Sequence, residues 1–210
     1  MKKDNGGFAH KLRMREILLK EIENPIVMET HAGFGKLYER LYSHVEQGVA
    51  FEKDENKCAV LAIQRPTWSV YNNDSQQMLG AGVGLHIPVN FFDVDPYGDP
   101  WPTVDAILTN ADRLQDKFGL AVNDGLRRFI MLGRGWKCSV AEYIVRHGSQ
   151  AAQKYPDICR EIMIDKFGRA GVTLSKWAVH SSGHGGQMTN YVAVAERKKA
   201  PGSRGKEKIE

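Results

Sequence analysis

Two short stretches concentrate the residue types that do chemistry. The first, VMETHAGFGK, runs from an apolar triplet into Glu29 and then through His31, Gly33 and Gly35. It reads as a strand entering a tight turn and then a helix. Glycines at such a turn let the backbone bend and let a ligand approach the main chain, while helix-start N–H groups attract anionic or polar ligand groups. The turn is not the dinucleotide fingerprint, because Tyr38 stands where a third glycine would be needed, and it lacks the Gly-Lys-Ser/Thr ending of a P-loop. The second stretch, FFDVDPYGDPWP, carries Asp93, Asp95, Tyr97 and Asp99 among Pro96, Pro100 and Pro102. Each proline fixes its own φ and restricts the residue before it. The loop is therefore stiff, as side chains that must stay aimed at a reacting group require.

The elements that hold these stretches follow from hydrophobic patterning. Leu12, Ile17, Leu18, Leu19 and Ile22 predict an amphipathic helix over about 10–23, ended by Asn24-Pro25. A short strand at Ile26-Val27-Met28 leads to the glycine turn and a helix, KLYERLYSHVEQ. A second strand ends at Glu52, KDENKCAVLAIQR is helical, and a third strand, WSVYN, ends near Asp74. Residues 75–88 are polar and then glycine-rich. VNFFDV is a fourth strand, Thr103 to Lys117 a helix, and FGLAVND a fifth strand. Residues 125–170 are mostly helical, with irregular pieces around residues 133–136. VTLSKWAVHSS and QMTNYVAVAER flank the turn GHGG and predict a terminal β-hairpin. Alternating strands and helices specify an α/β fold: a mostly parallel seven-stranded sheet with helices on both faces and an antiparallel hairpin at its end.

The chain has 210 residues, 42% hydrophobic and 26% charged, which suits one soluble globular domain and excludes a collagen, a coiled-coil rod or a wholly disordered chain. No apolar run approaches the ~18–20 residues of a membrane span, and the basic N-terminus lacks the apolar stretch of a secretory signal. Cys58, Cys138 and Cys159 form no CxxC pair, which points to a reducing, cytoplasmic setting and away from a zinc ribbon. Residues 1–196 are neutral, with 23 basic and 23 acidic side chains; RKKAPGSRGKEKIE, 197–210, holds the whole excess of +4. That tail is expected to be disordered, either solubilising the chain or adding sequence-independent attraction to phosphates.

Acidic-x-x-x-Gly-x-Gly at the end of a first strand resembles motif I of the class I, Rossmann-like S-adenosylmethionine-dependent methyltransferases. The resemblance spans roughly residues 8–196 in order and spacing. It implies that Glu29, His31, Gly33 and Gly35 line the cofactor site, that Glu52 accepts the ribose hydroxyls, that Asp74 accepts the adenine amino group, and that Asp93 belongs to the same site. Asp95-Pro96-Tyr97-Gly98 resembles the [DNS]PP[YFW] motif of amino-group methyltransferases, with Gly98 as a departure. D-x-D-P-Y-G followed by a proline resembles the motif of tRNA guanine-N2 dimethyltransferases, and THAG resembles motif I of a bacterial rRNA adenine-N6 methyltransferase family.

The chemistry explains the residue types. An exocyclic base amine is a poor nucleophile because its lone pair is delocalised into the ring. Asp95 and a loop carbonyl can accept its hydrogens and localise that pair, while Tyr97 can stack on the base. These two are the candidate catalytic residues. Lys11 is a candidate for contact with substrate, a phosphate or the cofactor carboxylate, and Arg127, Arg128, Arg134 and Lys137 with Trp136 among them are a candidate basic patch with an aromatic platform for substrate. His180 and His184 lack a third ligand, so no metal site is expected. The expected function is methylation of an exocyclic amine of a nucleic-acid base, RNA or DNA, by an S-adenosylmethionine-dependent enzyme with no membrane partner. The alternatives are a methyltransferase acting on a small-molecule or protein amine, and an inactive cofactor-binding domain that serves a partner.

Overall fold

A computed structural model of the chain describes residues 6–134 and 137–197. Trp136 and the tail beyond Arg197 lie outside the described residues; Arg197 itself ends a strand. The elements are α1 (Gly6–Leu19), β1 (Val27–Glu29), β2 (Gly48–Glu52), α2 (Glu55–Gln64), β3 (Ser69–Asn72), α3 (Ser75–Gly80), β4 (Phe91–Val94), α4 (Trp101–Leu108), β5 (Lys117–Asp124), α5 (Leu126–Met131), α6 (Ala141–His147), α7 (Ala151–Arg169), β6 (Val172–Ser182) and β7 (Met188–Arg197).

The strands form one seven-stranded sheet in the order β3-β2-β1-β4-β5-β7-β6. The first five are mutually parallel, and β7 pairs antiparallel with both β5 and β6. The expected architecture is therefore the observed one. Each face of the sheet has its own apolar core. Phe92, Phe118, Leu120 and Tyr191 pack with α4 and α7 on one side; Val27, Phe91, Ala121 and Val192 pack with α1 on the other. Alternate residues of β4 and β5 thus serve opposite cores, as the two-residue period of a strand dictates. Among the described residues no helix is long and apolar enough to cross a membrane.

Local departures from the expected elements have physical causes. The helix predicted over KLYERLYSHVEQ is a wide π-helical turn, Tyr38–Tyr42, which buries both Leu41 and Tyr42 and brings the Tyr42 hydroxyl to Asp93. The helix expected from Thr103 to Lys117 stops at Leu108. There the Asn110 side chain donates to the Leu79 carbonyl, and a short 3₁₀ turn, Ala111–Arg113, follows. Residues 75–88 contain α3, which Asp74 caps by accepting the Gln76 and Gln77 N–H groups.

Candidate active site at the carboxyl ends of the parallel strands

Loops leaving β1, β2, β3, β4 and β5 lie along one edge of the sheet, and main-chain hydrogen bonds tie those of β1, β2, β4 and β5 together. The Thr30 N–H donates to the Asp93 carbonyl, the Ala32 N–H to the Phe51 carbonyl, and the Gly125 N–H to the Gly98 carbonyl. In open α/β sheets this edge is where ligands bind.

After β1 the chain turns through Gly33 (φ +58°) and Gly35 (φ +76°), a left-handed backbone that other residues adopt only with strain. A side chain at Gly33 would meet nothing within 4 Å, so that side of the turn is open. At Gly35 a Cβ would lie 2.6 Å from Gln64 Oε1, so the turn rests directly on the end of α2. Glu52 braces the turn: one carboxylate oxygen accepts the Gly33 N–H at 2.8 Å and the other the Asp54 N–H at 2.9 Å. A carboxylate has about four lone-pair sites, so Glu52 retains acceptor capacity for two further donors. Asp74 caps α3 with one oxygen and pairs with Lys53 through the other. These contacts, the Lys53 hydrogen bond first, hold its pKa below the usual carboxylate range.

His31 is half-buried, its Nδ1 2.9 Å from the Thr30 hydroxyl. Burial lowers its pKa despite the nearby carboxylates of Asp95, Asp74 and Glu52, so the imidazole is held neutral. His31, Glu52, Asp74 and Asp95 therefore do converge.

Glu29 and Asp93, expected with them, do not join them: both side chains are buried in the core. The Glu29 side chain is 2% exposed and pairs with the fully buried Arg65, whose guanidinium lies over the rings of Tyr38 and Trp68. Burial, opposed by Arg65, lifts the Glu29 pKa to about 7. This pair supports the glycine turn from within the core. Asp93 is 1% exposed and binds the buried Arg15 with both oxygens, Nε to Oδ2 at 2.7 Å. It also accepts the Tyr42 hydroxyl at 2.6 Å. Burial opposes the charge on Arg15, but Asp93 outweighs it and holds the guanidinium protonated. Strand-end position suggested cofactor contact for both acids, whereas their buried partners give them anchoring roles.

Asp95 lies just past β4, nearer the surface. The Lys11 ammonium of α1 donates to both its oxygens, at 2.8 and 2.9 Å. Lys11 and Arg15 are one helical turn apart, about 6 Å; Asp95 and Asp93 are two strand residues apart, about 6.6 Å. The two spacings match, so α1, which packs over β5, β6 and β7, sets two cations against the two carboxylates at the end of β4. Lys11 thus meets Asp95 itself, where substrate contact was expected. Tyr97 projects wholly into solvent. Asp99 accepts the Trp101 N–H and the Ser139 N–H and hydroxyl, fixing the far end of the loop. Arg127 braces the fold by donating to the Ala152 carbonyl at 2.9 Å, and Arg128 is exposed. Arg15, Arg65 and Tyr42 had not been singled out from the sequence; the only signal was Lys11-x-x-x-Arg15 facing Asp93-x-Asp95.

No protein-family model matches the chain, and no curated protein matches it. Solved structures do. Trm1 from Pyrococcus horikoshii, in complex with S-adenosyl-L-methionine, aligns over 90% of this chain with a TM-score of 0.61 and 12% identity. The chain spans about half of that structure, 54%. The N-methyltransferase NodS from Bradyrhizobium japonicum, in complex with S-adenosyl-L-homocysteine, aligns over 94% of this chain and 90% of its own, with a TM-score of 0.61 and 11% identity. An rRNA methylase from Streptococcus thermophilus aligns over 95% and 99%, with a TM-score of 0.52 and 15% identity. The fold is that of the class I methyltransferases.

Proposed function

We propose that this chain binds S-adenosylmethionine at the ends of β1, β2 and β3 and methylates an exocyclic amino group of a nucleic-acid base, in RNA or DNA. Asp95 carries the reading. Its carboxylate, two residues before the exposed Tyr97, accepts N–H groups of the Lys11 ammonium on both oxygens. A group placed to do that is placed to receive an acceptor amine once the flexible lysine side chain yields. The fold supports the reading, since Trm1, NodS and the rRNA methylase share it.

The residues present fit the cofactor. The open side of the turn at Gly33 leaves room against the main chain, Glu52 keeps acceptor sites for two ribose hydroxyls, and Asp74 can exchange the exposed Lys53 for an adenine amino group. The cofactor would supply a methyl group on a cationic sulfur. Asp95 accepts the hydrogens of the acceptor amine and localises its lone pair. Tyr97 stacks on the base and sets its plane. His31, whose pKa burial lowers, would add little positive charge beside a cationic cofactor. A base within a helix must first be flipped out to reach the loop.

A smaller amine is the second reading, since the N-methyltransferase NodS matches at the same TM-score as Trm1 and neither match singles out a nucleic acid. Calorimetric titration with S-adenosylmethionine and S-adenosylhomocysteine, followed by radiolabelled methyl transfer to total RNA and to DNA, tests the proposal. Binding and transfer to a nucleic acid are expected, with nucleoside mass analysis naming the base. Well-folded protein that binds neither cofactor form sinks the whole reading; transfer only to a metabolite replaces the first substrate class by the second.

A further inference from the structure

Beyond the acceptor site, α5 and the turn after it place exposed aromatic and basic side chains beside the loop that follows Asp95. Gly98 (φ +103°) closes the Asp95–Gly98 loop, and its carbonyl receives the Gly125 N–H at 2.9 Å. A Cβ on Gly125 would stand 3.2 Å from Gly98 Cα, so α5 begins directly against the loop. Phe129, on α5, lies beside it, with Cε2 3.5 Å from where a Gly98 Cβ would stand. Phe129 and Tyr97 are both exposed aromatics, and Met131 on the same helix is exposed too. Gly133 (φ +67°) then reverses the chain, and the Arg134 N–H donates to the Phe129 carbonyl at 2.7 Å. Arg134 is thereby brought back over the turn that carries Phe129. From Gly125 to Ala141 the sequence holds Arg127, Arg128, Arg134 and Lys137 and no acidic residue; Arg128, Arg134 and Lys137 are exposed.

We infer that this rim, Tyr97, Phe129, Arg128, Arg134 and Lys137, carries an unpaired nucleic-acid strand to the acceptor site. The inference rests on the proposed role of Asp95 and Tyr97. Cations of one sign interleaved with exposed aromatic faces match phosphates and unstacked bases together, the pattern of single-strand binders. A partner protein would gain no complement to the one-sided charge from the apolar residues alone. Phe129 offers a second stacking face next to that of Tyr97, so a neighbouring base rests on it while the target base lies on Tyr97. The flexible arginines and lysine follow the backbone.

The test uses fluorescence anisotropy with the full chain and a labelled 20-nucleotide single-stranded RNA, the same sequence as DNA, and the RNA duplex. Arg128→Glu/Arg134→Glu and Phe129→Ala are compared with the parent, all sharing the basic residues beyond Arg197. Single strands are expected to bind, and more tightly than the duplex. Charge reversal should weaken binding about tenfold or more and flatten its salt dependence by one to two contacts. Phe129→Ala should weaken it about fivefold or more with the salt dependence unchanged. Comparison of the RNA and DNA arms names the strand. Calorimetric affinity for S-adenosylmethionine should be unchanged in every variant. Parental strand binding that survives both substitutions overturns the rim, as does an absence of strand binding by protein that still binds the cofactor, or equal binding of duplex and strand. Loss of cofactor binding in the parent would instead strike the reading beneath it.

Discussion

Two aspartates two residues apart divide the work at the end of β4. Asp93 is buried and bound on both oxygens by Arg15, with Tyr42 added on one of them, so it fixes the strand end. Asp95 is partly exposed, and both its oxygens accept from the Lys11 ammonium. Asp95→Ala should therefore leave folding and most of the cofactor affinity intact while lowering methyl transfer about 100-fold or more, the scale of removing a group aimed at developing charge. Transfer at the parental rate in a radiolabel assay would reduce the loop to a structural turn. Glu52→Ala should act the other way round. It removes the brace on the Gly33 N–H together with the ribose acceptor, and should weaken cofactor binding by about 1–3 kcal/mol in calorimetry; unchanged affinity would remove Glu52 from the site. Glu52 and Asp95 stood out in the sequence because each follows a strand. Glu29 and Asp93 stood out for the same reason, and nothing local to either distinguishes a carboxylate facing the cleft from one facing Arg65 or Arg15, 36 and 78 residues away in the chain.

At the scale of elements, α1 is the support of the site. Its Arg15 is wholly buried against Asp93, whereas Lys11 and Asp95 keep 24% and 19% of their side-chain surface. Removing one partner of a buried pair leaves an uncompensated charge, so Arg15→Met should destabilise the protein by about 3–5 kcal/mol. Lys11→Met, at a partly exposed pair, should cost no more than about 1 kcal/mol. Urea unfolding of the two variants checks the contrast, and equal losses would refute the division between anchor and seat. The parallel strands were legible because each is a short apolar run between turn residues, and the hairpin strands because their alternation is long and GHGG separates them. Other elements were not. The apolar stripe Val104, Ile107, Leu108, Ala111 and Leu114 suggested one long helix. Leu114 does reach the core, but through a 3₁₀ turn set by Asn110, and spacing alone does not distinguish that path from a continuous helix. The first turn of α3 is held by the Asp74 cap, and six residues are too few for an apolar period to show.

The whole molecule places a second group of buried polar side chains on the opposite face of the sheet, where Asp124 ends β5. It is fully buried; its Oδ1 accepts the Leu126 N–H at 2.8 Å and its Oδ2 the Tyr155 hydroxyl at 2.9 Å, with the Tyr191 hydroxyl at 3.4 Å. Burial lifts its pKa to about 7, against those hydrogen bonds. The unfolded chain has an ordinary carboxyl there, near 3.8. Between these values the folded protein binds a proton that the unfolded chain has released, so unfolding sheds it and stability falls as pH rises. The contribution is fully present below pH ~4, is lost through pH ~7, and is level above that. Asp124→Asn stays neutral at every pH. Its amide oxygen can keep the Leu126 N–H, and its NH₂ can donate to the tyrosine oxygens. The variant should therefore gain on the parent steadily between pH 4 and 7, by about 1.4 kcal/mol per pH unit at most, and keep that gain at pH 8. Glu29, also raised by burial, is present in both proteins, so the difference between the two curves isolates Asp124. Urea denaturation from pH 4.5 to 8.5 measures it. A difference that does not change with pH would mean that Asp124 is ionised in the fold throughout, with its charge balanced by the tyrosine hydroxyls and the Leu126 N–H.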